Sequence, residues 1–392
     1  MTKISSRGVY YICLLGFFGI FSTTISKSPV LPLFAKSLGA STALLGLLSS
    51  LSPLAGMILG FPIGYLANNW GKKNLLTIAA FIFVTAPLLY LAVQNPLLLL
   101  PIRFFHGLAT AILGPIVASI IVELFENKKA QSLGFYNSST LVGRLLAPLL
   151  GGLIITTTLN YRLVYIAAFI ISLPVSFLVI LLNHSTDFSN KLPRHLSFSD
   201  FLFTLKQFTT NRPIFLTALI QMAVYFTYGV FETYLPLYLL GKNIPAVLMG
   251  PLLSVQVLSI AVTQPFFGKI ADQIDKRFPI AIGIFIIAVA MILLTQSSIY
   301  SLLMASCVLF GIGMSITTVA TTAYVAQLSQ LSQQTSFLGA LHSIMDIGQS
   351  VGPFIVGFII TQFSIQAGFV TTGVIAASFG ILFIGATIRS HR

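Results

Sequence analysis

The chain has 392 residues, of which 56% are hydrophobic and only 7% are charged, and its mean hydropathy is +0.96. A water-soluble globule of this size needs more polar residues than this to cover its surface. The composition therefore excludes an ordinary soluble protein and predicts one whose solvent is lipid. A net charge of +13 would suit nucleic acid, but the basic residues lie in short segments between apolar runs, which is typical of membrane topology.

Twelve apolar runs are long enough to cross a bilayer, which takes about 20 mostly apolar residues. They are continuous and do not alternate as barrel strands do, so we predict helices. The first set covers 9–34, 43–67, 75–93, 97–122, 131–157 and 163–182. The second set covers 212–240, 245–271, 278–295, 299–325, 335–362 and 366–388. The polar segment between them predicts an N-terminal bundle over 1–182, a cytoplasmic linker over 183–211 and a C-terminal bundle over 212–392.

The distribution of Lys and Arg predicts an orientation. Both termini and the even-numbered gaps between spans carry fifteen of these residues, whereas the odd-numbered gaps carry three: Lys36, Arg162 and Lys242. Loops rich in Lys and Arg stay in the cytoplasm. We therefore expect a multi-pass protein of the cytoplasmic (inner) membrane with both termini in the cytoplasm.

The two sets of spans contain an internal repeat. Pro32 recurs as Pro236 and Gly107 recurs as Gly311, both 204 residues later, each within a matching local sequence. Duplicated six-helix units are typical of transporters that bind substrate near the membrane midplane. The fold we predict is all-α, with twelve transmembrane helices in two pseudo-symmetric six-helix bundles.

Two loops at equivalent positions carry similar motifs. The first reads Gly64-Tyr-Leu-Ala-Asn68-Asn-Trp-Gly71-Lys72-Lys73, and the second reads Gly268-Lys-Ile-Ala-Asp272-Gln-Ile-Asp275-Lys276-Arg277. Both resemble the signature G-x-L-A-D-x-x-G-R-K of the major facilitator superfamily. The resemblance implies a cytoplasmic gate in which a carboxylate binds a neighbouring helix end or cation. Because Asn68 replaces the family Asp, we expect the acidic latch in the second copy. The alternative is that both loops serve only as cationic anchors.

Two further motifs point to the same family. Arg103 and Gly107 resemble its R-x-x-x-G motif, whose Arg is linked to proton coupling. Residues 143–152 resemble the G-x-x-x-G-P-x-x-G-G signature of proton antiporters for drugs and metabolites, with Ala147 in place of one Gly. Small residues at this spacing allow close helix packing. The residues of this packing motif and its second copy are Gly143, Ala147, Pro148, Gly151, Gly152, Gly348, Gly352 and Pro353.

Five ionisable residues lie well inside predicted spans. The first half contributes the cations Lys27, Arg103 and Arg144, and the second half contributes the anions Glu232 and Asp346. Each charge costs about 3 kcal/mol or more at mid-membrane, so we expect these groups to face a cavity or one another. One hypothesis is that Glu232 or Asp346 carries a proton and pairs with a cation when deprotonated. Another is that the cations bind an anionic substrate. The alternative to both is that Arg103 and Arg144 are static braces.

Two histidines lie near these charges. His342 and Asp346 are four residues apart and so share a helical face, and His106 follows Arg103 by three residues. Two His and one acid are too few to predict a metal site. We interpret both histidines as packing residues or proton relays, and we predict no metal.

The resemblance implies a proton-coupled secondary transporter that exports a small organic compound by alternating access. The closest alternative is a proton symporter that imports an anionic metabolite or a siderophore, and less favoured ones are a lipid translocator or a receptor without transport activity. The sequence lacks H-E-x-x-H, Walker and G-x-S-x-G motifs, so we predict no enzyme activity. We expect a monomer with no cofactor, powered by the proton gradient. Its expected partners are protons, membrane lipid and a small-molecule substrate, for which an anion is one candidate. We expect no nucleic-acid partner.

Overall fold

The computed structural model describes residues 7–60, 62–125, 129–185, 206, 210–329 and 334–389. In this part of the chain the regular structure is entirely helical. Twelve helical stretches are long and apolar enough to cross a membrane, and each overlaps one of the predicted spans. The predicted all-α fold with twelve membrane helices is therefore confirmed.

The described residues of the first half of the chain form eight helices. They are α1 (Arg7–Ile25), α2 (Val30–Ser37), α3 (Thr42–Gly60), α4 (Pro62–Trp70), α5 (Lys72–Leu91), α6 (Leu99–Leu124), α7 (Lys129–Thr158) and α8 (Tyr161–Ser185). A short 3-10 helix, Pro96–Leu98, leads into α6. The second half forms α9 (Arg212–Gly241), α10 (Ala246–Gln273), α11 (Arg277–Gln296), α12 (Tyr300–Leu328), α13 (Gln334–Gln362) and α14 (Ile365–Arg389).

The first predicted span is interrupted in the structure. Residues 26–29 form a turn between α1 and α2, although together the two helices make one candidate span, Gly8–Ser37. Pro29 has no N–H to donate to the carbonyl of Ile25, and its ring crowds that turn of helix. At the same place in the repeat α9 has Thr233 and continues as a regular helix.

The chain divides into two compact units. Unit 1 comprises Met1–Gly39, Leu54–Ser197 and Pro245–Gly250, and unit 2 comprises Ala40–Pro53, Phe198–Ile244 and Pro251–Arg392. Each unit thus includes one short segment from the opposite half of the sequence. Most of the predicted linker, 183–211, lies outside the described residues, so the domain boundaries at 182 and 211 stay a prediction.

The helices pack in the same way within each unit. In unit 1, α1 packs against α7 and α8, and α5 packs against α6 and α8. In unit 2, α9 packs against α13 and α14, and α11 packs against α12 and α14. The spans Pro96–Leu124 and Tyr300–Leu328 are offset by 204 residues at both ends. The internal repeat read from the sequence is therefore also a repeat of helix packing.

Candidate functional site

Arg103 lies in the interior of unit 1. Its side chain is fully buried, and among the described residues its guanidinium group interacts with the Tyr90 hydroxyl. His106, one helical turn further along α6, is also fully buried, and its Nδ1 has no partner among the described residues. Because residues three apart share a helical face, α6 presents both side chains to the same environment.

Helices α5 and α8 complete a polar cluster around Arg103. The Tyr90 and Tyr165 rings stack with their centroids 4.5 Å apart, and the Tyr90 ring centroid lies 6.0 Å from that of His106. The Arg103 guanidinium is within electrostatic range of both tyrosines and of His106. The Tyr165 hydroxyl is buried without a hydrogen-bond partner in the described part of the chain, whereas the Tyr90 hydroxyl interacts with Arg103. We call Tyr90, Arg103, His106 and Tyr165 the Arg103 cluster.

Helix α1 borders this cluster. The Thr23 hydroxyl lies 3.4 Å from Nε2 of His106, which places α1 beside α6 at this level. Phe83 of α5 meets the His106 ring edge to face, with the ring centroids 6.4 Å apart. Four helices of unit 1 therefore enclose the two ionisable side chains of α6.

The other two cations predicted in the first half lie in different surroundings. Lys27 occupies the turn between α1 and α2, is partly exposed and does make contacts with other groups. Arg144 is exposed on α7 and lies near Tyr136. Of the three cations, Arg103 is thus the one that is fully buried.

The predicted acids belong to unit 2. Glu232 on α9 is partly buried and interacts with other groups, whereas the described residues offer Asp346 on α13 no hydrogen bond or ion pair. His342, one turn before Asp346, is exposed. The described residues contain no group of three His, Cys, Asp or Glu side chains able to hold a metal ion.

Lys72 of the first loop motif forms a partly buried ion pair that sequence reasoning missed. Lys72, at the start of α5, is fully buried, and its Nζ lies 2.6 Å from Oε2 of Glu123 near the end of α6. Lys73 donates a hydrogen bond of 2.9 Å to the carbonyl of Asn183 at the end of α8. Gly71 has a φ of 84°, which glycine adopts without strain. The side chain of Asn68 lies outside the described residues.

The second copy of the loop motif has an exposed ion pair. Nε of Arg277 lies 3.0 and 2.9 Å from the two carboxylate oxygens of Asp275, and the backbone N–H of Arg277 donates to the same carboxylate. Lys276 precedes α11, and Gly268 lies within α10. The Asp272 side chain lies outside the described residues, so its expected role as the acidic latch stays a prediction.

The small residues of the packing motif mark close helix contacts. A Cβ atom at Gly143 would lie 2.9 Å from the carbonyl oxygen of Phe17, so α7 and α1 touch through backbone there. In unit 2, a Cβ at Gly348 or Gly352 of α13 would clash with the carbonyl oxygen of Met222 or Phe226 on α9. Substitution at these glycines would force the helices apart.

The sequence and the fold both have relatives among known proteins. The family model described as Major Facilitator Superfamily matches residues 12–295 and 252–392. The chain is 26% identical over 334 residues to an uncharacterised MFS-type transporter of Methanocaldococcus jannaschii, which covers 85% of this chain and 86% of the relative. It is 27% identical over 345 residues to the quinolone resistance protein NorA of Staphylococcus aureus, which covers 84% of each chain.

Solved structures with the same fold cover nearly the whole chain. A bacterial homologue of the human lysosomal transporter Spinster superposes with a TM-score of 0.80 over 98% of each chain, at 16% sequence identity. The nucleoside transporter NupG superposes with a TM-score of 0.78 over 96% of this chain and 98% of its own, at 12% identity.

Proposed function

Because this chain belongs to the major facilitator superfamily of membrane transporters, we propose that it exports a small organic compound, a drug or a metabolite, in exchange for protons. Its family and fold are those of a multi-pass membrane transporter and not of an enzyme. The substrate class, the direction of transport and the coupling to protons are the proposed parts.

The likeness to NorA is the observation that carries the proposal. It extends over 84% of both chains, and NorA is named for quinolone resistance. Residues 143–152 resemble the signature of proton antiporters for drugs and metabolites, which supports exchange with protons. In this chain Gly143 packs α7 closely against the backbone of α1.

The acids of unit 2 are the proposed proton carriers. Asp346 and Glu232 lie inside membrane spans, where an ionised carboxylate is costly unless it is paired. A carboxyl group that is paired in one conformation and unpaired in the other binds and releases one proton per cycle. Substrate and proton are coupled when each binds the two conformations with different affinity. The proton gradient is then the sole energy source, with no cofactor.

The proposed setting follows from the charge distribution. Lys and Arg predominate at the termini and in the even-numbered gaps, which favours the cytoplasmic membrane with both termini inside the cell. We propose that a single chain is the working unit, because each bundle of the pair comes from the same polypeptide.

Transport by everted membrane vesicles tests the proposal. Respiration acidifies the vesicle lumen, and a proton-coupled exporter should then accumulate a quinolone inside until a protonophore is added. If Asp346 carries the proton, Asp346→Asn should abolish this uptake. If Glu232 carries it, Glu232→Gln should do so. Asp200→Asn, which changes an acid in the polar segment between the two sets of spans, is the control and should transport at the parental rate.

Two results would contradict the proposal in different ways. Quinolone uptake no greater than in vesicles without the protein would exclude export of this class of compound. Parental uptake by the double variant Asp346→Asn/Glu232→Gln would leave export intact but exclude these acids as proton carriers.

Import of an anionic compound by proton symport is the second candidate. The fully buried, positively charged Arg103 favours it, because a guanidinium binds carboxylates well. Direction separates the two candidates: deletion of the exporter raises the amount of compound inside intact cells, whereas deletion of an importer lowers it.

A further inference from the structure

We propose that the Arg103 cluster, formed by Tyr90, Arg103, His106 and Tyr165, is a binding site for a compact anion, either a carboxylate group or a halide ion. This inference adds a ligand class to the proposed function, but it does not depend on the direction of transport or on coupling to protons. The site lies entirely within unit 1.

The cluster has more buried hydrogen-bond donors than acceptors. Within it the Arg103 guanidinium interacts with the Tyr90 hydroxyl, whereas Nδ1 of His106 and the Tyr165 hydroxyl are buried and make no hydrogen bond with any described residue. A guanidinium offers five N–H donors and each phenol offers one. Buried donors need an acceptor, and an anion accepts from several of them at once.

The charge of Arg103 has no counterion in the described part of unit 1. Glu123 is the one carboxylate there, and it is held by Lys72. Glu123 lies 20 residues after Arg103 on the same helix, which is roughly 30 Å at 1.5 Å per residue. An ion pair across that distance is excluded. A bound anion would supply the missing negative charge.

The internal repeat shows that the fold does not require polar groups at this place. At the offset of 204 residues, Arg103 corresponds to Cys307, His106 to Phe310, Tyr165 to Phe369 and Tyr90 to Leu294. All four counterparts are buried in unit 2. The same interior position is therefore filled by apolar or weakly polar side chains in one unit and by a cationic cluster in the other.

The framework around the two positions is the same in both units. Phe34 and Tyr165 meet with ring centroids 5.5 Å apart in unit 1, and their counterparts Tyr238 and Phe369 meet at 5.6 Å in unit 2. Since the surrounding ring contact is retained while the polar groups are not, packing alone does not explain the Arg103 cluster. Binding of a ligand with negative charge does.

The enclosure of the cluster limits the size of the ligand. The side chains of Tyr90, Arg103, His106 and Tyr165 are all fully buried. The stacked rings of Tyr90 and Tyr165 lie beside the guanidinium group of Arg103. A carboxylate group or a single halide ion fits these constraints, whereas a bulky sulfonate does not.

Anion-dependent stability of the purified, full-length protein tests the inference. The melting temperature is measured in detergent at constant ionic strength, with sodium HEPES as the reference salt, because its sulfonate is bulky, and with sodium acetate or sodium chloride as the probes. A ligand that binds only the folded state raises the melting temperature in a saturable way. We expect saturable stabilisation by at least one probe, and the probe with the lower half-saturation concentration identifies a carboxylate or a halide site.

Variants link the effect to the cluster. Arg103→Gln should remove the anion-dependent rise. Tyr90→Phe/Tyr165→Phe, which removes only two hydroxyls, should raise the half-saturation concentration at least tenfold and serves if Arg103→Gln fails to fold. Arg162→Gln, at an exposed arginine of α8, is the matched control and should respond as the parent does.

Two outcomes would overturn the inference: equal melting temperatures of the parent protein in all three salts, or an unchanged response in both the Arg103 and the tyrosine variants. The measurement uses no gradient and no organic substrate. A negative result in the export assay therefore does not affect this test, and a negative result in this test does not affect the export assay.

Discussion

Neutralising Glu123 should destabilise the protein far more than neutralising an exposed acid. Glu123→Gln retains the shape of the side chain but removes the charge that lies 2.6 Å from Nζ of Lys72. Lys72 is fully buried, so its ammonium group would lose this counterion in the protein interior. Lys72→Met should cost less, because the carboxylate left behind is 27% exposed and can reach water.

The size of the effect follows from the geometry. Two unit charges 2.6 Å apart attract by roughly 6 kcal/mol at an effective dielectric constant of about 20. Desolvation of the lysine offsets part of this, and breaking a buried pair on one side typically costs about 3–5 kcal/mol. Because Glu123 is partly exposed, we expect about 3 kcal/mol for Glu123→Gln and about 1–2 kcal/mol for Lys72→Met. The free energy of unfolding of the double variant should fall by about 2 kcal/mol, because both side chains are then neutral and no buried charge lacks a counterion.

The natural probe for this measurement lies next to the pair. Trp70 is the single tryptophan of the chain, ends α4 and is 54% exposed. Its fluorescence during unfolding by sodium dodecyl sulfate in mixed micelles reports stability close to Lys72. Asp275→Asn, which breaks the exposed pair with Arg277, is the control and should cost no more than about 1 kcal/mol. The reasoning fails if the loss of unfolding free energy in the double variant equals the sum of the two single losses within about 0.5 kcal/mol, because Lys72 and Glu123 would then not be coupled.

Three further predictions use single substitutions. Gly348→Ala should lower the free energy of unfolding by about 1–3 kcal/mol, because its Cβ would clash with the carbonyl of Met222. Gly339→Ala is the control on the same helix, where space at Cβ is open, and should raise that free energy by up to about 1 kcal/mol. Equal melting temperatures of the two variants would contradict the close approach at Gly348. Leu159 has a φ of 55° and is 85% exposed, so Leu159→Asn should raise the free energy of unfolding by about 0.5–1 kcal/mol, and a decrease would show that the leucine is not strained. For the orientation, a membrane-impermeant maleimide added to intact cells should label Leu159→Cys but not Asn69→Cys, and the reverse pattern would invert the proposed topology.

The twelve spans could be predicted because lipid imposes one simple requirement on the sequence. Every run of about 20 apolar residues must be helical to satisfy its backbone, and charged or turn residues mark its ends. The break at 26–29 was not predicted, since hydropathy alone does not register a missing backbone donor at Pro29.

Less of the candidate site could be predicted. Arg103 and His106 were singled out because ionisable groups are rare and costly in a span. Tyr90 and Tyr165 were not, since their proximity depends on how α5 and α8 pack, and the sequence offers thirteen tyrosines without distinguishing two of them. Glu123 was overlooked because it follows the predicted end of its span by one residue. The chain has only eight Asp and Glu residues, so tracing the partner of each acid would have found it.

The division into units has a consequence for dissecting the protein. Unit 1 needs Pro245–Gly250, where the N–H of Val247 donates to the Thr156 hydroxyl at 2.8 Å, and unit 2 needs Ala40–Pro53, where the carbonyl of Thr42 accepts from Tyr234. Cleaving the chain between 185 and 210 yields fragments of which neither contains a complete unit. Expressed separately, each fragment should be degraded, whereas co-expression should allow the two polypeptides to reassemble without a peptide bond between them.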